Sequence, residues 1–505
     1  MPASQSLRRT VLKNALANAA RLAGSGLIAL AMPPLLVRML PPDVYGAWAL
    51  LLQLALYFGF LDFGAQIAVA RFVAHAGESH DPERRDGLVS SAFVLLMIAA
   101  VFGMALVLVL AWQLPNVFHS MPAGLVYESR LALILMGGSL ALGLPLLVIH
   151  AVFIGFQRNA IPVSITLANR VTAAVLTVAA VLRHAGLAVM GGAVALANVL
   201  SSLSAYVAWR RWAAQVRIRI SLFSRPHARE IIAYCASLTV WSAGMLMVSG
   251  LDLSIVGIFD FKATPYYAVA ATLTNFIAQA QGAIFAALLP ASAVLHARGD
   301  AAKLGEVLIL STRYGMLILL AMALPLLVLE KPILGTWVGY VYAEKSRLIL
   351  EVLLIANIVR LSALPYATLL LGAGEQKKVV LSPLAEGLTN LLASVAGAYV
   401  FGAIGVAIGT LIGAFVGVGL HLWHNMPRTS AIRVNRMRLI REGFARPLLC
   451  IAPLALLLVP RMAKLQVPAA SFVDLAAVAG TALLFWKRGL VSSERQRVES
   501  VLRLS

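Results

Sequence analysis

Four arginines stand inside stretches that are otherwise apolar: Arg21, Arg170, Arg313 and Arg360. A charge at mid-bilayer costs at least ~2.5–3.5 kcal/mol on insertion scales, so each of these needs a cavity or a partner. Arg170 and Arg360 fall midway along their stretches, whereas Arg21 and Arg313 lie within roughly 10 Å of an end at the helical rise and could partly snorkel. Their neighbours share helical faces. Asn14, Asn18, Arg21 and Ser25 form one polar stripe, Thr166, Arg170, Ala173 and Thr177 a second, and Ser382, Glu386, Asn390 and Ser394 a third. Such stripes either hydrogen-bond helix to helix or wall a hydrated cavity. On the cavity reading, Arg21, Asn18, Arg170, Arg313 and Arg360 bind an anion.

Asp62, Asp252 and Glu386 lie in the same apolar surroundings. A carboxylate that pairs with arginine in one state and takes a proton or Na⁺ in another couples transport to an ion gradient; a static salt bridge is the other reading. His150 reads as a packed or hydrogen-bonded side chain. The sequence contains no Walker loop, nucleophile elbow or zinc spacing, and Cys235 and Cys450 both fall in apolar stretches with no disulfide framework. No cofactor, metal or catalytic residue is therefore expected.

The elements that must carry these residues are membrane helices. Of 505 residues, 61% are hydrophobic and 12% charged, with mean hydropathy +0.88. That excludes a soluble enzyme and intrinsic disorder, and the long unbroken apolar runs argue against a β-barrel. The runs predict about fourteen helices, at about 20 residues each, over 14–37, 45–70, 88–111, 131–155, 159–182, 187–208, 231–258, 266–295, 306–329, 347–371, 379–400, 403–424, 447–461 and 469–486. The first reads as an uncleaved helix, because Arg21 interrupts its run and the run continues to about Leu36. Pro33–Pro34 and Pro145 would kink helices one and four.

With the N-terminus inside, 28 of the 41 Lys and Arg residues fall in cytoplasmic segments and 9 in outer ones. This bias places both termini in the cytoplasm and explains the net charge of +20 without nucleic acid. Two basic connections divide the chain: a first lobe at 1–209, a loop at 210–230, a second lobe at 231–425, a loop at 426–446, and a C-terminal helix pair with its tail at 447–505. The loops read as topology signals first, with anionic headgroups or a glycosyltransferase as other readings. The lobes resemble one another. Tyr45 and Tyr266 share an offset of 221 residues with His75 and His296, and Gly155–Phe156–Gln157–Arg158 resembles Gly374–Glu375–Gln376–Lys377. A repeat of even helix number places the pseudo-symmetry axis along the membrane normal.

The first lobe reads Arg38-Met39-Leu40-Pro41-Pro42-Asp43-Val44-Tyr45-Gly46-Ala47-Trp48, then Phe60-Leu61-Asp62-Phe63-Gly64 and Arg71-Phe72. The second reads Leu251-Asp252-Leu253-Ser254-Ile255-Val256-Gly257, Tyr266-Tyr267-Ala268-Val269, Leu289-Pro290-Ala291-Ser292 and Arg298-Gly299-Asp300. In order and spacing these resemble the polysaccharide exporter branch of the multidrug/oligosaccharidyl-lipid/polysaccharide (MOP) flippase superfamily, the branch of O-antigen and exopolysaccharide-repeat flippases. The resemblance implies a bacterial inner-membrane transporter, not an enzyme, with two lobes around a central cavity working by alternating access. Its implied cargo is an undecaprenyl-diphosphate-linked oligosaccharide, and its partners are membrane lipids and the polymerase and glycosyltransferases of surface polysaccharide synthesis. Arginine forks suit the oxygens of a diphosphate, and amides such as Asn18 suit sugar hydroxyls. A multidrug or cation antiporter of the same fold would instead want an acidic, aromatic cavity. A membrane-embedded glycosyltransferase, ligase or polymerase would want longer outer loops than this chain has. A transport-inactive scaffold is the remaining alternative.

Overall fold

The computed structural model describes residues 24–78, 81–375, 381–458 and, within 476–489, all but 478 and 482. Among them there are helices and no strand, and nine helical stretches are long and apolar enough to cross a membrane. The chain is a multi-pass membrane protein. Arg21 and Asn18 lie outside the described residues, as does half of the last predicted helix. The first described helix, Gly24–Met39 (α1), is continuous through Pro33–Pro34.

Several of the predicted spans are broken helices. Helix two is Pro42–Tyr57 (α2) followed, after a tight turn, by Ala65–Glu78 (α3). Phe63 and Gly64 adopt positive φ at the turn, and the Asp62 carboxylate accepts the Gly64 N–H at 2.9 Å. Helix three is Pro82–Val117 (α4). Helix four divides at Leu144–Leu146, around Pro145, into Ala123–Gly143 (α5) and Leu147–Gly155 (α6). Ala160–Leu182 (α7) and Leu187–Trp212 (α8) complete the first lobe.

Helix seven is Arg225–Ser249 (α9) and Asp252–Phe259 (α10), with the break at Gly250–Leu251. Helix eight divides into Thr264–Phe285 (α11) and Leu288–Ala297 (α12). Ala301–Val328 (α13) and the short Glu330–Val338 (α14) follow. Helix ten divides before Pro365 into Tyr340–Ser362 (α15) and Leu364–Gly372 (α16). Leu381–Leu420 (α17) is two helices joined at Gly402, whose φ of 59° and ψ of −138° turn the chain back on itself.

The breaks recur at the repeat offset: helices two and eight break, as do four and ten, the latter pair at Pro145 and Pro365. Caps recur as well. Asp81 accepts the Arg84 N–H and Asp300 the Lys303 N–H, each at 2.9 Å, which satisfies orphan donors at the start of α4 and α13.

Burial separates the two ends of the molecule. At the end away from the basic connections, a single apolar core joins both lobes: Trp48, Phe58 and Leu133 of the first pack with Val256, Tyr267 and Leu350 of the second. At the basic end there are two separate cores. One holds Val69, Leu88 and Phe153 with Ile231 and Cys235 of α9. The other holds Leu308, Tyr366 and Leu369 with Ile432 and Leu439. Helix seven is thus shared, its first half in the basic-end core of the first lobe and its second half in the joint core.

Candidate functional site

The joint end is held by contacts across the lobes. Tyr342 meets the repeat-related Tyr45 and Tyr266, with ring centroids at 6.2 and 5.1 Å. Arg38 donates to the Thr336 carbonyl and Trp337 Nε1 to the Leu30 carbonyl, both at 3.0 Å. The break in helix seven supplies further attachment points, because a helix break leaves carbonyls that must find donors inside a membrane. Gln53 Nε2 donates to the Gly250 carbonyl at 2.7 Å, and Tyr57 donates to it as well. From the second lobe, Asn390 donates to the Val248 carbonyl at 2.6 Å, and Arg360 to the same oxygen at 3.2 Å.

Below this joint the lobes present polar faces. On α7, Ala168, Val171, Val175 and Ala179 form the exposed apolar side, while Thr166 and Thr177 lie on the opposite, inward side. Arg170 shares the inward side and is nevertheless exposed. An exposed residue on an inward face borders an opening within the protein. On α11, Asn275 and Gln279 are likewise exposed, opposite the buried face of Leu273, Ile277 and Gln281. Between these two helices runs α1: Gly24 abuts Leu167 of α7 and Gly26 abuts Phe276 of α11. Arg170 of one lobe and the α11 amides of the other therefore flank the same stretch of α1.

The first lobe also contains a cavity of about 640 Å³ among helices two, four, five and six. Asn198 donates to Ser139 at 2.9 Å, and the Asn169 and Asn198 amides pair at 3.1 Å. Thr166, Gln66, His150, Asn159, Ser201 and Ser202 complete its polar wall, and its lining includes no carboxylate. Sequence periodicity exposed Thr166 but not this inter-helix amide chain, whose members lie on separate helices.

The other expected site residues are placed differently. Arg360 and Glu386 form an ion pair at 2.8 Å, with both side chains largely buried. In this arrangement the Arg360 Nε is held by Glu386 and its Nη2 by the Val248 carbonyl, so the guanidinium expected to receive an anion is engaged within the second lobe. Arg313 is 2% exposed, lies over the Tyr314 ring at 5.0 Å, and lines a separate cleft on the flank of α13 rather than the space beside Arg170. Asp62 closes the turn in helix two and has a local role. Asp252, at the start of α10, is buried and accepts from Thr410 Oγ1 at 2.9 Å and Tyr267 Oη at 3.2 Å.

The third stripe is resolved as interhelical packing. Glu386, Asn390, Ser394 and Gly397 face a ridge of glycines at Gly417, Gly413, Gly409 and Gly405 on the return half of α17. A Cβ at Gly409 would collide with the Ser394 backbone, so the two halves touch main chain to main chain. The glycines recur every fourth residue, a signal visible in the sequence. Ser394 donates to Asn390 Oδ1 at 2.9 Å, which orients the amide that grips helix seven.

Comparison with known proteins agrees with this architecture. Residues 11–296 match the family model described as polysaccharide biosynthesis protein. No curated protein sequence matches the chain. Among solved structures, one described as the lipid II flippase MurJ in an inward closed conformation aligns over 94% of this chain and 98% of its own, at TM-score 0.71 and 12% identity. An inward-facing multidrug resistance MATE family transporter of the MOP superfamily aligns over 82% of this chain and 94% of its own, at TM-score 0.65 and 16% identity. A MOP superfamily transporter from Pyrococcus furiosus, described as having a binding pocket of reversed polarity, aligns over 84% and 96% at TM-score 0.53 and 16% identity. At these identities the likeness is one of fold. The family match covers more than half of the chain, and with the two-lobed MOP fold it supports one assignment: the chain belongs to the polysaccharide biosynthesis protein family.

Proposed function

We propose that the chain is a flippase that moves a polyprenyl-diphosphate-linked oligosaccharide from the cytoplasmic to the periplasmic leaflet of a bacterial inner membrane during surface polysaccharide synthesis. The observation that carries this reading is the asymmetry of the cores: joined at one end, divided at the basic end, with Arg170 exposed on an inward face. Basic connections are retained in the cytoplasm, so this arrangement corresponds to a state that loads from the inner leaflet. The cargo's sugars and diphosphate would lose their hydration in hydrocarbon. A cationic, hydrated opening replaces that hydration while the polyprenyl tail stays in lipid, and no bond is broken.

Arg170 is the described residue assigned to the diphosphate, and the Asn169, Asn198 and Ser139 wall supplies partners for sugar hydroxyls. Arg21 and Asn18, which share a polar stripe in the sequence, are assigned to the same path. A cation antiporter fits less well, because the first-lobe cavity offers no carboxylate in its lining. Of the acids considered for coupling, Asp252 is favoured. Glu386 is already matched by Arg360 and Asp62 is occupied by its turn, whereas Asp252 is held by hydroxyls, which also accommodate a protonated or cation-bound carboxylate.

The test is translocation of a fluorescent polyprenyl-diphosphate oligosaccharide in proteoliposomes. Arg170→Ala removes a charge-assisted contact of ~1.5–3 kcal/mol, so it slows transport about 10- to 150-fold, with Arg170→Lys intermediate. Parental rates in a correctly inserted Arg170→Ala protein refute the assignment. Asp252→Asn should leave downhill exchange intact and abolish its response to an imposed proton or Na⁺ gradient; an unchanged response removes Asp252 from coupling.

A further inference from the structure

On the flank of the second lobe, at the basic end, a cleft of about 700 Å³ lies between the first turns of α13 and residues 438–449, with Arg488 at its edge. Its charge is one-sided. Lys303, Arg313, Arg438, Arg441, Arg446 and Arg488 line it, against Glu306 and Glu442. Both acids engage Arg438, which forks onto Glu306 and reaches Glu442 at 3.1 Å. The cleft therefore retains a net positive lining after its internal ion pairs are counted.

The walls are apolar and open sideways: Leu310 and Leu449 are 42% and 55% exposed. Arg313 lies ten residues beyond Lys303, about 15 Å deeper along α13, so cationic groups extend from the interface into the apolar zone. The frame is fixed. The Arg433 N–H donates to the Ala301 carbonyl at 3.0 Å, Gly305 abuts the Arg433 backbone, and Gly443 abuts Thr312. Residues 439–445 form a π-helical stretch, a geometry frequent at functional sites.

We propose that this cleft is a binding site for a phosphate-bearing lipid, distinct from the path between the lobes, that takes the phosphate among the arginines and the acyl or prenyl chain along Leu310 and Leu449. The chemistry is an anionic phosphate ester on an apolar tail. A hydrated surface needed only for membrane orientation has no use for a rigid cleft with an arginine buried in its wall. The two available sources are bulk anionic phospholipid and a polyprenyl diphosphate.

The experiment measures binding of fluorescent phosphatidylglycerol to the full-length protein in neutral-lipid nanodiscs, beside fluorescent phosphatidylcholine. The parent should prefer phosphatidylglycerol. The variant carrying Lys303→Gln, Arg441→Gln and Arg488→Gln should lose about fivefold affinity for each cation removed. The corresponding variant carrying Arg441→Lys and Arg488→Lys should retain most of it, which separates charge loss from misfolding. Displacement by polyprenyl diphosphate assigns the site to that lipid, and failure to displace assigns it to the bulk bilayer. Equal binding of the two fluorescent lipids by the parent, or unchanged phosphatidylglycerol binding in the Gln variant, overturns the proposal. Inorganic pyrophosphate competing as well as either lipid overturns it too, since the tail would then be irrelevant.

Discussion

The Arg360–Glu386 pair separates an architectural role from a cargo role by stability alone. Removing one partner of a fully buried ion pair costs ~3–5 kcal/mol, because a charge is left without its counterpart. Here 17% and 11% of the two side chains remain exposed, so water recovers part of that loss. Arg360→Met and Glu386→Met are each expected to cost roughly 2–4 kcal/mol in SDS-titrated unfolding. Removing both charges leaves no unmatched ion. The Val248 carbonyl then keeps its donor in Asn390 at 2.6 Å. The double variant carrying Arg360→Met and Glu386→Met should therefore cost less than either single change, with a coupling energy of about 2 kcal/mol or more. A guanidinium reserved for cargo behaves in the opposite way: its loss spares stability and abolishes transport. If Arg360→Met unfolds like the parent while translocation of labelled lipid-linked oligosaccharide stops, the positioning role is refuted and Arg360 returns to the binding path.

The glycine ridge should be intolerant of a single methyl group. Gly409→Ala meets backbone rather than a movable side chain, so it should cost ~1–3 kcal/mol by overpacking, read as a lower melting temperature in detergent; parental melting would contradict the close approach. The Gly250 carbonyl should govern how firmly the lobes close at the joint end. Gln53→Leu with Tyr57→Phe removes two donors at ~0.5–1.5 kcal/mol each and should shift the balance between states about 5- to 150-fold towards opening there. In a background lacking Cys235 and Cys450, a cysteine placed at the buried Ala343 should then label faster with maleimide, and unchanged labelling counts against the clasp.

Apolar runs located the long described helices but not their lengths, and they passed over the short helix Glu330–Val338. The run predicted from residue 88 begins at Pro82 and ends at Val117, because Asp81 caps the helix start and α4 continues past the apolar band at both ends. The repeat was legible in Tyr45 and Tyr266, and the structure shows a reason for retaining both: they converge on Tyr342. Arg170 could be placed on an inward face from helical periodicity. The partnership of Arg360 with Glu386 could not, since 26 residues and a helix boundary separate them and periodicity relates positions only within one helix. The same limit hid the amide chain of the first-lobe cavity. Arg313 illustrates a different ambiguity: burial of a charge announces a partner or an opening, and the sequence does not say which opening.

Helix seven connects these features mechanically. Its first half is anchored in the first lobe, with Ile231 and Cys235 in that lobe's basic-end core and the Arg71 guanidinium 5.0 Å from the Tyr234 ring. Its second half is anchored in the joint core, with Asp252 tied to Thr410 and Tyr267. Donors from both lobes meet at the break between them: Gln53 and Tyr57 on Gly250, Asn390 and Arg360 on Val248. A carbonyl released from a helix inside a membrane needs a replacement donor. Opening at the joint end by withdrawal of α2 would strip Gly250 of its two side-chain donors, so water must enter as the lobes part. Opening there and hydrating the path are then one event. The carboxylate of Asp252 lies two residues from Gly250, so the coupling role proposed for it places the titrating group beside the contact that opening would disturb.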